Sequence, residues 1–423
     1  MSASRPAGRI GFVPPRYGDR VVGGAEAVIR EVAHGFAARG WDVEILTTCA
    51  RDHFTWANEY RPGVETDSGV TIRRFPAVVS TDREDRKRYE AAILAGETLT
   101  VEQQQRWVND DLRVPELFHH LLDHAEDYRV LVFAPYLFWS TFACAQVAPE
   151  RSILMPCLHD EPYARLDIFQ PVFSGCAGVW FLSDPEHAVA HRLFTVPKHH
   201  EVVGSGVRVP VAYDPARFRK RHGIPGRFIL FAGRREGGKG WERMLDAFAR
   251  AVQRHALPFS LVTMGTGTVH PPESIRDRVI DLGFLEDEDR DDAFAAADAY
   301  IQPSPHESFS RTIMEAWLAG TLVIANGASE VVRWHCGRSG AGLTYDDELE
   351  LGECLAFVAD SPPGAAAIAA RGRGYVLENY APDTVLRRQE ATVLRWFPES
   401  GAATAAGDAA GAADRPPRSE AIA

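Results

Sequence analysis

Two carboxylates, Glu307 and Glu315, stand eight positions apart in the run Pro303-Ser304-Pro305-His306-Glu307-Ser308-Phe309-Ser310-Arg311-Thr312-Ile313-Met314-Glu315-Ala316-Trp317. The residues before it, Ala299 to Gln302, read as the end of a short buried strand. Pro303 and Pro305 stop that strand, and a helical run begins near Thr312. A strand end, a tight loop and a helix start therefore meet at one point. The backbone N–H groups of Ser308, Phe309 and Ser310 lack intrahelical partners there, and with the helix dipole they suit phosphate oxygens. Glu307 precedes the helix and Glu315 lies inside it, so the two cannot act on one atom. Such a layout fits a ligand with phosphate in the middle and a hydroxyl-bearing ring at each end, as in a nucleotide sugar, since carboxylates accept hydrogen bonds from sugar hydroxyls. Two glutamates at this spacing also occur on ordinary solvated helices.

Three further constellations carry chemistry. Phe228 to Ala232 is an apolar strand running into Gly233-Arg234-Arg235-Glu236-Gly237-Gly238-Lys239-Gly240, where glycines let backbone approach a ligand. Arg234 can grip a pyrophosphate in bidentate fashion and Lys239 adds a point charge; the spacing assigns Arg235 no ligand. A solvated basic turn is the plain alternative. Near the N-terminus, Arg9 to Val13 reads as a first strand, and Gly23 and Gly24 enter a helix whose apolar positions Val28, Val32 and Phe36 repeat at helical spacing up to Gly40. The Gly-x-Gly-x-x-Gly fingerprint of dinucleotide sites is missing from this turn. Finally, the strand Ile153 to Met155 leads to His159, Asp160 and Glu161, at the carboxyl end where open α/β sheets bind ligands. Asp160 and Glu161 could orient His159, bind acceptor, or cap the next turn.

The Glu307–Glu315 segment resembles the Glu-seven-residues-Glu signature of retaining glycosyltransferases with the GT-B fold, glycosyltransferase family 4 in particular. The resemblance runs from Gly11 to about Tyr380. It implies that Glu307 faces the transferred sugar and Glu315 holds the nucleotide ribose. It implies that Arg234 and Lys239 grip the donor diphosphate, with Ser308, Phe309 and Ser310 beside it, and that Gly23 and Gly24 face the donor phosphates or the acceptor across a cleft. His159 is the candidate for a histidine that reaches the transferred sugar. Ser310 departs from the pattern, since relatives often carry Gly there. The implied activity is transfer of a hexose-type sugar from a nucleoside diphosphate donor to a hydroxyl acceptor of a glycan, glycolipid or natural product, with retention and with no cofactor.

Length and pattern fit this. At 423 residues the chain exceeds what one core usually organises. Strand-like apolar runs alternate with helical patterns throughout, which implies α/β architecture with parallel sheets. Two facing Rossmann-like domains with an interdomain cleft are expected: an acceptor-side domain over 1–208 and a nucleotide-sugar domain over 209–382. A crossover helix over 383–398 and a disordered tail over 399–423, poor in large apolar groups, complete the chain. Residues 78–115 read as a charged, Gln-rich insertion on the acceptor side.

A net charge of −12 disfavours nucleic-acid binding. No apolar run reaches the ~20 residues that span a bilayer, so the expectation is a cytoplasmic protein. Peripheral contact with a lipid-linked acceptor through Arg83 to Arg88 stays open, although that run is interleaved with acids and reads as a solvated helix face. The six cysteines show no Cys-x-x-Cys pair, and no histidine-rich metal spacing is read. The acidic run Glu286 to Asp292 reads as the N-cap and first turn of a helix, so transfer is expected to be metal-independent, with no metal ligands. The alternatives are a glycoside hydrolase, a sugar-nucleotide epimerase of the same fold, and a non-catalytic sugar-nucleotide-binding protein.

Overall fold

Apolar runs in each half of the chain line up side by side as strands. The computed structural model describes residues 8–18, 21, 23–80 and 83–398; the expected tail, 399–423, lies outside the described residues. The first sheet is built from β1 (Arg9–Val13), β2 (Asp42–Thr48), β3 (Gly63–Asp67), β4 (Val70–Phe75) and, after the small antiparallel pair β5 (Val78–Val79) and β6 (Leu112–Arg113), from β7 (Tyr128–Phe133), β8 (Ser152–Leu154), β9 (Gly178–Phe181) and β10 (His200–Val202). Its order is β10-β9-β8-β7-β1-β2-β4-β3. The second sheet contains β11 (Phe228–Ala232), β12 (Ser260–Met264), β13 (Val279–Asp281), β14 (Ala299–Gln302), β15 (Leu322–Asn326) and β16 (Gly342–Tyr345), in the order β13-β12-β11-β14-β15-β16.

Every pairing in the second sheet is parallel, with Leu230 beside Tyr300 and Ile301 beside Ile324. Central strands such as β14 are buried along their whole length, as helices on both faces require. The expected parallel sheets are present, with one antiparallel strand added at the rim of the first. β3 runs antiparallel to β4 at the rim of the first sheet. Ser68 and Gly69 join them with φ of 48° and 85°, the two-residue turn whose twist suits a hairpin.

The 78–115 segment closes on itself through β5 and β6 around two helices, Glu84–Leu94 and Val101–Asn109. Trp107 stacks on Tyr163 at 5.4 Å, and Trp107 Nε1 and Tyr163 Oη both donate to Glu90, at 2.9 and 2.6 Å. The segment thereby packs against the chain that follows the His159 loop. Arg83, Arg86 and Arg88 pair with Asp111, Glu90 and Asp85.

The acidic run forms the start of the Asp287–Ala296 helix, with Asp287, Glu288 and Asp289 in its first turn. Glu286, expected to cap it, sits at the N-cap without a side-chain hydrogen bond. Asp291 and Asp292 instead bind the connection between the sheets: Asp291 holds Arg208 at 2.5 Å, and Asp292 holds Arg217 at 2.5 Å and the Asp214 N–H at 2.7 Å. The last helix, Pro382–Trp396, returns to the first sheet. Its Glu390 accepts from Arg39 at 2.5 Å and Trp41 Nε1 at 2.9 Å, and its Thr392 Oγ1 accepts from the fully buried Trp180 at 2.7 Å. Among the described residues no helix is long and apolar enough to cross a membrane.

The helix Pro362–Tyr380 packs on Trp317 through Gly372, where an added Cβ would stand 2.4 Å from Trp317 Cγ. Trp317 is fully buried and donates to the Ala341 carbonyl at 3.0 Å, so it cannot move aside. Gly372→Ala is expected to cost ~1–3 kcal/mol by overpacking. Gly374→Ala, two residues on and facing open space, should be neutral or stabilise by up to ~1 kcal/mol. Thermal denaturation of the two variants checks this; equal midpoints would show that the contact is not tight.

Candidate active site

The carboxyl ends of β11 and β14 lie side by side, and each opens into a loop that the other supports. Gly240, at φ 70°, brings the basic loop so close to the next one that a Cβ would stand 2.5 Å from the Pro303 carbonyl. Asn326 at the end of β15 donates to that same carbonyl at 2.9 Å. Gln302 holds Ser304 N–H at 3.2 Å and Ser310 Oγ at 2.7 Å, so the loop 303–310 is tied down at both ends. Consequently Lys239 and Glu307 meet, with Nζ 2.8 Å from Oε1. Glu307 is 14% exposed.

The helix after this loop is Arg311–Leu318, with Ser310 as N-cap at φ 66°. This is a left-handed conformation that glycine adopts without cost, which explains why Ser310 looked out of place in the sequence. The N–H groups of Ser308, Phe309 and Ser310 have no hydrogen-bond partner among the described residues. Phe309 itself is buried, with its ring edge-on to Tyr380 and His335. Glu315 lies one turn into the helix, 3.4 Å from Arg290. Burial raises its pKa, against the pull of Arg290 and Arg311.

Across from these loops stand residues of the first sheet. Ser183 Oγ donates to the Ser308 carbonyl at 2.8 Å. The His159 ring lies against that of His306 at 5.6 Å, and Nδ1 of His159 is 3.3 Å from Glu161 without hydrogen-bond alignment. Burial, followed by the charge of Lys239, lowers the His159 pKa to about 4; Glu307 opposes this. Burial likewise pushes Glu161 up to about 7, although Tyr136 donates to it at 2.7 Å and Lys239 faces it. Asp160 is occupied elsewhere, with Arg165 and Arg192 both at 2.6 Å. The fully buried Glu186 accepts from Leu158 N–H at 2.6 Å and Leu182 N–H at 2.5 Å and so fixes the turn carrying His159.

Arg234 stands five residues before Lys239 on the basic loop. It lies 3.1 Å from Glu236 and 3.3 Å from Nε2 of His53, a residue after β2. Burial and the cations Arg16 and Arg234 lower the His53 pKa, so its nitrogen can accept that bond. Arg235 turns away from the cleft. It is buried, bonds Thr263 at 3.0 Å and the Gly265 and Gly267 carbonyls at 3.1 and 3.0 Å, and pairs with Asp281.

Gly23 and Gly24 begin the first helix, Gly24–Ala38. A side chain at Gly23 would meet Glu26 Oε2 at 2.1 Å, because Glu26 folds back to pair with the buried Arg16 at 2.5 Å; Gly24 borders open space. Glu31 on this helix pairs with Arg311 at 2.5 Å.

The structure thus gathers His159, Lys239, Glu307 and His306 at one point. It sets Arg234, the Ser308–Ser310 amides and Glu315 on the same loop system and ties the first helix to it through Glu31. His53 and His306 join the site without having been assigned a role in it, and Glu161, one of the residues that could orient His159, bind acceptor or cap the next turn, lies 3.3 Å from His159. His306 stood beside Glu307 in plain view, whereas nothing in the sequence pairs His53 with Arg234. A cavity of about 300 Å³ lined by Glu31, Gly35, Arg39, Gly206, Pro382 and Leu386 lies beside the last helix, next to the Arg311–Glu31 pair.

Residues 226–359 match the family described as glycosyl transferases group 1. The chain is 27% identical over 141 residues to mannosylfructose-phosphate synthase of Agrobacterium fabrum, covering 27% of this chain and 31% of that one. It is 28% identical over 363 residues to D-inositol 3-phosphate glycosyltransferase of Jonesia denitrificans, covering 77% and 81%. The match thus spans about a third of the first relative's length and most of the second's. Among solved structures, sucrose-phosphate synthase of Thermosynechococcus elongatus superposes with a TM-score of 0.69 at 18% identity, over 92% of this chain and 99% of that one. HepE of Anabaena in complex with UDP and glucose gives 0.68 at 15%, over 92% and 100%.

The position of His159 makes one prediction. Its ring should stay neutral at pH 7 and titrate near pH 4 in an imidazole NMR titration. Between that value and the ordinary 6.5, the unfolded chain binds a proton that the folded ring refuses, so the stability contribution is present above pH 6.5 and is lost as pH falls toward 4. His159→Gln should therefore lose less stability than wild type between pH 7 and pH 5 in urea unfolding. An ordinary midpoint near 6.5 would show that the ring is wet.

Proposed function

We propose that this chain, a GT-B glycosyltransferase to which family 4 fits, moves a hexose-type sugar from a nucleoside diphosphate sugar to a hydroxyl acceptor, with retention and without a divalent metal. The observation that carries the reading is the Lys239–Glu307 contact beside the unpartnered amides of Ser308 to Ser310, facing His159. In this reading Lys239, Arg234 and those amides take the donor diphosphate, stabilising charge as it develops on the leaving group. Glu307 positions the sugar through its hydroxyls, and Glu315 holds the ribose. The neutral His159 ring hydrogen-bonds the sugar from the opposite wall.

The bond from the anomeric carbon to the phosphate oxygen breaks and a bond to the acceptor oxygen forms on the same face. The acceptor proton passes to the leaving phosphate, and the nucleoside diphosphate departs. In this reading Glu161, whose pKa burial raises to about 7, binds the acceptor. UDP is the first nucleotide to test, because HepE has been seen with UDP and with UDP-glucose.

A thermal-shift screen against UDP, GDP, ADP and their sugars identifies the donor, since the matching nucleotide stabilises only the folded chain. Lys239→Ala and Glu315→Ala should each weaken nucleotide binding by ~1.5–3 kcal/mol, the range for hydrogen bonds to charged groups. Glu307→Ala should bind nucleotide but lower kcat by ~10²–10³, as loss of one preorganised polar group does. Unchanged binding and turnover in all three variants would sink the assignment.

A further inference from the structure

Three histidines outside the cleft converge at the edge of the first sheet. His187 and His191 lie on the helix Asp184–Leu193, and His200 begins β10. One nitrogen from each falls within 4.8 Å of the others, and the ring centroids are 4.4, 5.2 and 5.0 Å apart. The spacing was passed over in the sequence: His187 and His191 are four apart, which puts two imidazoles on one face of a helix.

We propose that His187, His191 and His200 form a binding site for one late first-row divalent cation, zinc being the natural probe. The ligand set is chemically apt, because neutral imidazole suits Zn²⁺ and its neighbours in the first transition row. The rings are also prepared for the task. Nδ1 of His200 lies 2.8 Å from the Pro197 carbonyl, to which it donates, and this leaves Nε2 free to bind. Such a backbone hydrogen bond is the usual support of a metal-ligating histidine.

Tetrahedral zinc with Zn–N of ~2.0–2.1 Å needs ligand atoms about 3.3 Å apart. Small rotations of the exposed His191 and the half-buried His187 and His200 close that gap. Three protein ligands leave a fourth position for water on the solvent side.

The position separates this site from the cleft. The cleft uses the carboxyl ends of the strands, whereas His200 starts β10 at the amino end. A bound ion would tie the helix whose N-cap Ser183 touches Ser308 to the strand leading into the connection between the sheets.

The test uses the full chain without an affinity tag, stripped of metal with a chelator. Isothermal titration with zinc chloride should show one equivalent bound, and cobalt(II) should give the visible absorption bands of a tetrahedral site. His191→Ala and His200→Gln should each weaken zinc at least ~10-fold, no less than the effect of disturbing a metal ligand's support. Far-UV circular dichroism and the metal-free midpoint should not change. His159→Ala and His306→Ala should leave zinc binding intact. Absence of stoichiometric binding, equal affinity in His191→Ala, or loss of binding in the cleft variants would each overturn the proposal.

Discussion

Two parallel sheets can share a ligand only if the carboxyl ends of their strands face each other across a fixed gap, and Arg311 is the residue on which that facing turns. It opens the helix that follows the 303–310 loop, and its guanidinium bridges to Glu31 at 2.5 and 2.8 Å, the Gly206 carbonyl at 2.8 Å and Ser205 at 3.3 Å. One side chain therefore joins the second sheet's ligand loop to the first helix and to the connection between the sheets. Burial disfavours the charge, and Glu31 more than compensates, since the Arg311 pKa rises. An ion pair of this kind contributes little net stability but fixes a register, because removing either partner strands the other. Ser183 adds a second fixed point on the Ser308 carbonyl, so loop and helix start are held from both directions.

Between those anchors the ionisable groups share one environment. His159 is pushed down, Glu161 up and His306 down, and burial is the largest cause each time. Lys239 acts on all three as the nearest cation. In so dry a place a fixed charge acts more strongly than it would in water. The supporting residues are of the same kind: the buried Glu186 carboxylate accepts from the Leu158 and Leu182 N–H groups, and burial lifts its pKa to about 8.

The sequence was most legible where chemistry and periodicity agreed. Pro303 and Pro305 marked the strand end, and the apolar runs of β1, β2, β7, β11 and β15 were visible because both their faces are buried. β3 escaped because all five of its residues are exposed and carry no alternation. β10 and β13 escaped because each has only three residues, none of them fully buried. Arg235, to which the spacing assigned no ligand, could not be placed from sequence because residue type does not tell which way a side chain turns, and Thr263 and two carbonyls claim it. Contacts across the cleft were the least readable. Arg234 and His53 are 181 positions apart, and only the closure of two sheets brings them together.

In the proposed reaction the Lys239–Glu307 pair does more than place two charges. Lys239 and Glu307 neutralise each other at 2.8 Å, so neither of these part-buried charges is left unpaired. A diphosphate entering the loop draws on Lys239 and thereby leaves Glu307 with less cationic compensation. That loss is recovered only if hydroxyl groups reach Glu307, and a sugar joined to the diphosphate brings them. A free nucleotide satisfies one half of the pair and a free sugar the other half. The complete donor satisfies both, so discrimination for the joined molecule follows from the pair's own charge balance, before any pocket has read the identity of the sugar.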